Sequence, residues 1–433
     1  MATRIAVFAD GTGNTVDRHD SNVLRLCRML DLADDSEQVA IYDPGVGTSA
    51  TVERLRAILG ERVRLVERAA RRPRPVRWAR LLFELGFGLG TTENIRQLYE
   101  GLIRAYQPGA DIYLFGFSRG AFTIRALAGL IYRCGVPRRP DASVIDAAMS
   151  LCRQHYEACR NDEQLRVLKA DVERFKRNEA HVCNIRFLGI WDTVKAVGYF
   201  WPKNLPHIRH NPIVRTVRHA MSLAERRTFY VPTTWGGLDG DTRPAIYIPA
   251  HLTAAAEGGA KRHIIDWQDL QEVWFAGDHS DVGGGRAERP LADVALHWMV
   301  NEAHDCGLRV RSDEYADLAR RVRTSPLSPT DVHDELCRMP SALGWWITEL
   351  APRRDIVNEP PPPRRPPKVL RPAGRRKLAN SSRDGIVRVH RSATDCYEAG
   401  QRVPWHESEV HFVETIERVR SAGPERPVGE HAR

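Results

Sequence analysis

Gly116, Ser118 and Gly120 alternate with Phe117 and Arg119, a spacing suited to a serine nucleophile. A serine on a sharp strand-to-helix turn projects its oxygen outward, and the flanking glycines let strand and helix approach without a Cβ clash. At average glycine usage a chain of this length holds such a pattern by chance only roughly 0.1 to 0.2 times. The surroundings sharpen it. The apolar run 111–115 leads in, and a helix rich in small residues (Ala121, Ala126, Ala128, Gly129) leads out. A plain structural turn is the competing reading, and it does not need that context.

A hydroxyl attacks well only when a base takes its proton and a third group orients the base. On a strand–turn–helix nucleophile these follow in the order serine, acid, histidine. Asp192 directly follows the hydrophobic run 184–190, although an aspartate there also suits a helix N-cap. His279 lies four residues past the run 271–275, beside Gly283, Gly284 and Gly285. Among the 16 histidines it alone both follows Asp192 and ends a clear strand. His207 and His210 fall in a proline-flanked loop, His219 on an expected helix with Met221 and Leu223, and His297 and His304 on another helix. Asp278 and Asp281 are rivals to Asp192 as the orienting acid, Asp281 the more serious.

An acyl-transfer intermediate also needs two amide donors for its oxyanion. The amide of Arg119, next after the serine, is one candidate. Gly11 and Thr12, in the turn Asp10-Gly11-Thr12-Gly13-Asn14, are candidates for the other, with the Asp10 carboxylate holding the turn. That turn also resembles a phosphate loop, but neither G-x-x-x-x-G-K-[ST] nor G-x-G-x-x-G follows the first strand.

These clusters all trail strands. Apolar runs at 5–9, 39–42, 111–115, 184–190 and 271–275 alternate with helical periodicity at 22–32, 92–106, 119–134, 142–178 and 291–306. A weaker strand is expected near 228–233. The alternation predicts an α/β fold, a mostly parallel central sheet with helices on both faces. In such sheets ligands sit beyond the C-terminal strand ends, where Asp10, Ser118, Asp192 and His279 would all gather. A catalytic domain is expected over 1–310. A helical, then proline- and arginine-rich extension over 311–433 would pack on the core or be linked to it. Within that extension 360–376 reads as an extended crossing, and 385–389 as a further strand.

The remaining composition narrows the class. The chain is 42% hydrophobic and 27% charged, as expected of a folded protein. Its formal charge of +9 is carried mostly by arginine, with ten arginines between Arg54 and Arg80. That segment, 50–80, reads as helical before Pro73 and Pro75, either a solvated surface helix or a basic lid meeting anionic lipid. It lacks the interleaved aromatics or reader motif of a nucleic-acid binder. The eight cysteines are scattered without C-x-x-C spacing, so reduced thiols and no zinc are expected. No leader or membrane-spanning run is evident, which predicts a cytoplasmic location and leaves leaderless secretion compatible.

The blocks FADGTGN (8–14), YDPGVGT (42–48), YLFGFSRGAFTIRALAGLI (113–131), FLGIWDTVKAVG (187–198), HAMSLAERR (219–227) and VWFAGDHSDVGGG (273–285) resemble, in order, a large family of uncharacterised domains. That family includes the catalytic domains of type VI secretion phospholipase effectors. VHRSATDCYEAG (389–400) is similar to its C-terminal pattern. Ala9 departs from it, standing where the family usually has a bulkier residue. A sizeable membrane-engaging module, common in the effector branch, is not evident. The resemblance implies an α/β-hydrolase core with a triad of Ser118, Asp192 and His279. It also implies ester hydrolysis, in the best-known branch of glycerophospholipids, without metal or organic cofactor. A soluble-ester esterase and a hydrolase-fold protein that only binds are the alternatives.

Overall fold

The computed structural model describes residues 2–11, 20–45, 52–66, 91–154, 161–194, 211–227, 230, 232–235, 245–246, 263–264, 268–337, 346, 353–354, 368–369, 376, 387–397 and 410–415. Nine strands build one sheet: β1 (Arg4–Ala9), β2 (Gln38–Asp43), β3 (Val63–Leu65), β4 (Asp111–Phe117), β5 (Ile185–Trp191), β6 (Val214–Ser222), β7 (Asp269–Phe275), β8 (Val387–His390) and β9 (Val410–Val413). Their order is β9-β8-β7-β6-β5-β4-β1-β2-β3. Every neighbouring pair is parallel, as the alternation of strands and helices predicts. The chain therefore runs outward from β1 to β3, returns to the other side of β1 at β4, and proceeds away from it. The reversal falls between β1 and β4, the kind of crevice where ligands enter open α/β sheets.

Helices cover both faces. Along β1, Ile5, Val7 and Ala9 join one buried cluster while Ala6 and Phe8 join the other, the two-residue alternation of a strand. The first cluster is closed by α3 (Thr91–Ala105), α4 (Arg119–Cys134) and α5 (Ala142–Arg153); the second by α1 (Asn22–Met29), α8 (Pro290–Asp305) and α9 (Ser312–Thr324). Both faces being covered, central strands read as nearly continuous apolar runs.

That same coverage explains where the sequence reading erred. Residues 214–222 form the strand β6 rather than a helix, so His219 sits in the middle of the sheet. Arg218 and His219 interrupt the run, yet both are buried and paired, Arg218 with Asp269 and Glu302. The expected strand near 228–233 is not formed by its described residues: Tyr230 lies in a short turn, and Pro232 makes an isolated bridge to Val194. The stretch 142–178 divides into α5 and α6 (Asp162–Glu179). In the arginine-rich segment α2 (Val52–Leu59) is helical as expected, but 63–65 become the edge strand β3. Residues 50–51 and 67–80, the rest of the expected lid, lie outside the described residues.

Beyond 310 the chain still contributes to the core. Tyr315 and Leu318 of α9 pack in the cluster that includes α8, and β8 and β9 extend the sheet beside β7. Val389 of β8 is fully buried with Met221, Trp274 and Ala393. No helix among the described residues is long and apolar enough to cross a membrane.

Val389→Ala should lower unfolding free energy by about 2 kcal/mol, the cost of removing two buried methyl groups. Val387→Ala, at a half-buried position, should cost less than about 1 kcal/mol. Urea unfolding distinguishes them, and equal small effects would mean that β8 is not part of the folded core.

Candidate active site

Three strand ends deliver the site. β4 passes into α4 through Ser118, whose backbone sits at φ 58° and ψ −120°, a costly conformation for a residue with a side chain. The flanking glycines make it attainable. A Cβ on Gly116 would lie 2.7 Å from the Ala121 backbone, and one on Gly120 only 2.0 Å from the Ala9 carbonyl oxygen. The Ser118 amide is tied to the neighbouring strand end, donating to the Trp191 carbonyl at 3.0 Å. Asp192 follows β5 at φ 38°, and its amide donates to Ala220 at 2.7 Å. His279 opens the short helix α7 (His279–Gly283), which follows β7 and is capped by Asp278.

These turns converge in one hydrogen-bonded line. The Ser118 hydroxyl lies 2.8 Å from His279 Nε2, and Nδ1 lies 2.5 Å from Asp192 Oδ2. Opposite a carboxylate Nδ1 carries the proton, which leaves Nε2 to accept from serine. The imidazole ring sits between Phe117 and Tyr230, each with its centroid 4.6 Å away. Burial pushes the His279 pKa below its ordinary value, against the opposing pull of the Asp192 hydrogen bond and charge. Burial alone would raise the Asp192 carboxyl, but Arg376 and then His279 hold it well below the usual range.

Asp192, not Asp281, meets the imidazole. The Asp281 carboxylate instead accepts from the Asp278 amide at 2.9 Å, the His333 amide at 2.9 Å and His333 Nδ1 at 2.7 Å. Asp278 caps α7, accepting from the amides of Ser280 and Asp281 at 2.9 and 3.0 Å. Burial and the nearby Asp281 push its carboxyl up to about 7. Both rivals therefore set the backbone that carries His279.

Asp10 is buried and holds the loop after β1. Its carboxylate accepts from Ser21 Oγ at 2.5 Å, Tyr42 OH at 2.7 Å and the Gly11 amide at 2.6 Å. Burial raises it to about 6 despite those donors. Gly11 faces the serine, since a Cβ there would lie 3.5 Å from Ser118 Cβ. Its amide, expected to face an oxyanion, is turned to Asp10. Thr12 lies outside the described residues. Arg119 opens α4, where first-turn amides have no carbonyl partner within the helix.

Two contributors escaped the sequence reading. His219 is fully buried; its Nε2 accepts from the Thr193 amide at 3.1 Å and its Nδ1 meets Glu272 at 2.7 Å. It fixes the backbone just past Asp192. Arg376, left at the end of a proline-rich crossing, reaches both oxygens of Asp192. Neither has a local motif. Among the described residues no group of three or more His, Cys, Asp or Glu side chains is placed to hold a metal ion.

Residues 3–302 match the model of the catalytic domain of Tle1-like phospholipase effectors of type VI secretion systems. The chain belongs to this family. Among curated proteins, the Tle1-like chain is 25% identical over 417 residues to the uncharacterized protein YEL023C of Saccharomyces cerevisiae, covering 73% of this chain and 59% of that one. Two solved structures are similar. One, an uncharacterized protein from Pseudomonas aeruginosa, shares 18% identity with a TM-score of 0.37, over 81% of this chain and 51% of the other. The second is the Tle1 effector bound to the VgrG spike of the type VI secretion system. It shares 15% identity with a TM-score of 0.24, over 65% of this chain and 50% of that one. The chain thus spans only about half to three-fifths of these relatives.

Gly120→Ala should destabilise this Tle1-like domain by at least about 2 kcal/mol, because its methyl group meets backbone rather than a yielding side chain. Gly101→Ala is the control: it meets only Ile41 side-chain carbons, at 3.2 Å, within a helix that favours alanine. Thermal unfolding compares them, and a tolerated Gly120→Ala would contradict the close passage of α4 past β1.

Proposed function

We propose that the chain is a serine ester hydrolase acting on lipid esters, most directly phospholipids, through Ser118, His279 and Asp192. The observation that carries the reading is the continuous line of hydrogen bonds from Ser118 Oγ through His279 to Asp192, with the serine on a strained turn. Membership of a family named for phospholipase effectors supports the substrate class. A protein that only bound esters would have no need of a neutral imidazole aimed at a strained serine.

Ser118 Oγ attacks the ester carbonyl carbon as His279 Nε2 takes its proton. Asp192 keeps Nδ1–H in place and stabilises the imidazolium. Collapse of the tetrahedral intermediate expels the alcohol, which receives the proton from Nε2, and leaves an acyl group on Ser118. Water repeats the sequence through the same base and frees the acid. The Arg119 amide supplies one oxyanion donor. For Gly11 to supply the second, its amide must exchange the Asp10 carboxylate for the oxyanion, or the loop through Thr12 must provide it.

Ser118→Ala should abolish fatty-acid release from mixed phospholipid vesicles and labelling by a fluorophosphonate, a loss of at least about 10³-fold. Cleavage of a short nitrophenyl ester alone, with intact vesicles, would restrict the protein to soluble esters. An inert and unlabelled wild type would refute the hydrolase reading.

The pH dependence follows from His279. Its pKa is depressed, so the neutral base persists on acidification and is lost only as pH falls through that lowered value. The acidic limb of kcat/KM should therefore lie below about 6.5, the ordinary histidine value. A limb at or above it would contradict a buried His279 base.

A further inference from the structure

Of the buried charges outside the Ser118–His279–Asp192 line, Arg376 is one that grips it directly. Nη1 donates to Asp192 Oδ1 at 2.5 Å and Nη2 to Oδ2 at 2.9 Å, a two-pronged arrangement suited to a carboxylate. The guanidinium is itself anchored. Nη1 also donates to the Ser222 carbonyl at 3.1 Å and its Oγ at 2.7 Å, and Nη2 to the Tyr230 carbonyl at 2.5 Å. The side chain is only 5% exposed. Oδ2 is therefore shared between Arg376 and His279, while Oδ1 is held by Arg376 and the Ser222 amide.

We infer that Arg376 is a positioning residue of the active site, a guanidinium from the C-terminal part of the chain that aims the Asp192 carboxylate at His279 and balances its charge. The inference rests on the hydrolase reading for its catalytic meaning, but its electrostatic content stands apart from turnover. A carboxylate gripped at both oxygens cannot rotate away from Nδ1, so the imidazole keeps the tautomer that leaves Nε2 open to serine.

The charge count points the same way. Facing His279 are Asp192, Glu225 and Arg227, with Asp278 next to it in its own helix. Glu225 and Arg227 pair with each other at 2.9 and 2.6 Å, and Arg227 lies over the Tyr230 ring. Asp192 is balanced by Arg376. Asp278 is in turn paired with Arg286, and Arg119 lies next to Ser118. Removing Arg376 takes away the cation that directly faces Asp192, so the Asp192–His279 pair would take up a proton at higher pH. Arg376 also lies beyond the matched span 3–302; a chain cut at 302 keeps all three site residues and loses this partner.

The test compares the full chain with Arg376→Met and Arg376→Lys. Arg376→Met should lower kcat about 10- to 100-fold, the range for groups that orient a reacting ligand from behind, with KM unchanged. Its acidic limb should move up by roughly one pH unit, as expected for loss of a nearby unit charge. Arg376→Lys, which keeps charge but not the fork, should restore the limb and only part of kcat. Each rate is scaled to the folded fraction from an unfolding curve. Independently of turnover, nuclear magnetic resonance of ¹³C-labelled histidine, with His279 assigned by its loss in His279→Asn, should show His279 titrating higher in Arg376→Met. If the wild type proves inert, the hydrolase reading falls while this titration still decides the electrostatic role. A His279 that titrates identically in both proteins overturns the proposal, as does a kcat that falls only with the folded fraction at an unmoved acidic limb.

Discussion

The arrangement depends on one buried carboxylate. Asp192 has no exposed surface, and an unpaired charge there would be prohibitively costly. Its environment is therefore built around it: Arg376 and the Ser222 amide on Oδ1, Arg376 and His279 on Oδ2. Those partners come from three separate stretches of chain, the end of β6, the turn after β7 and the C-terminal region. Any shift in their packing changes the same hydrogen bond to His279. The buried His219–Glu272 pair has a parallel role one residue on, fixing Thr193 while the chain turns at a positive φ.

The sheet converts these local needs into a common place. Because all nine strands run parallel, the turns after β1, β4, β5 and β7 open at one edge, with Ser118 at the chain reversal between β1 and β4. Strain at Ser118 is tolerated because α4 crosses so near β1 that only a glycine fits at 120. Local strain and long-range packing are one constraint here. The helix cannot move back to relax the serine without opening contacts along the buried face that includes Ile124 and Leu127.

What was legible in the sequence follows from this. Ser118 and Asp192 directly follow apolar strands and His279 lies four residues past one; order along the chain pointed to the three, with Asp281 left as a rival to Asp192. β6 was not legible, because Arg218 and His219 break its apolar run and their partners, Asp269, Glu302 and Glu272, are remote in sequence. Periodicity cannot show that a charge in mid-strand is satisfied from elsewhere. Arg376 was invisible for a stronger reason. It stands in a sequence of prolines and arginines without helical or strand periodicity, and the carboxylate it grips lies 184 residues earlier.

The loop after β1 holds a second buried carboxylate. Asp10 is clamped by Ser21 at the start of α1 and by Tyr42 at the end of β2, and it holds the Gly11 amide beside Ser118. Burial raises its carboxyl to about 6, whereas the Asp192 carboxyl is held well below the usual range. One acid in this site is held well below the usual carboxylate range by a guanidinium and meets the imidazole. The other accepts from two hydroxyls and the Gly11 amide. The two carboxylates thus differ in environment: a permanent cation grips Asp192, while Ser21, Tyr42 and the Gly11 amide donate to Asp10.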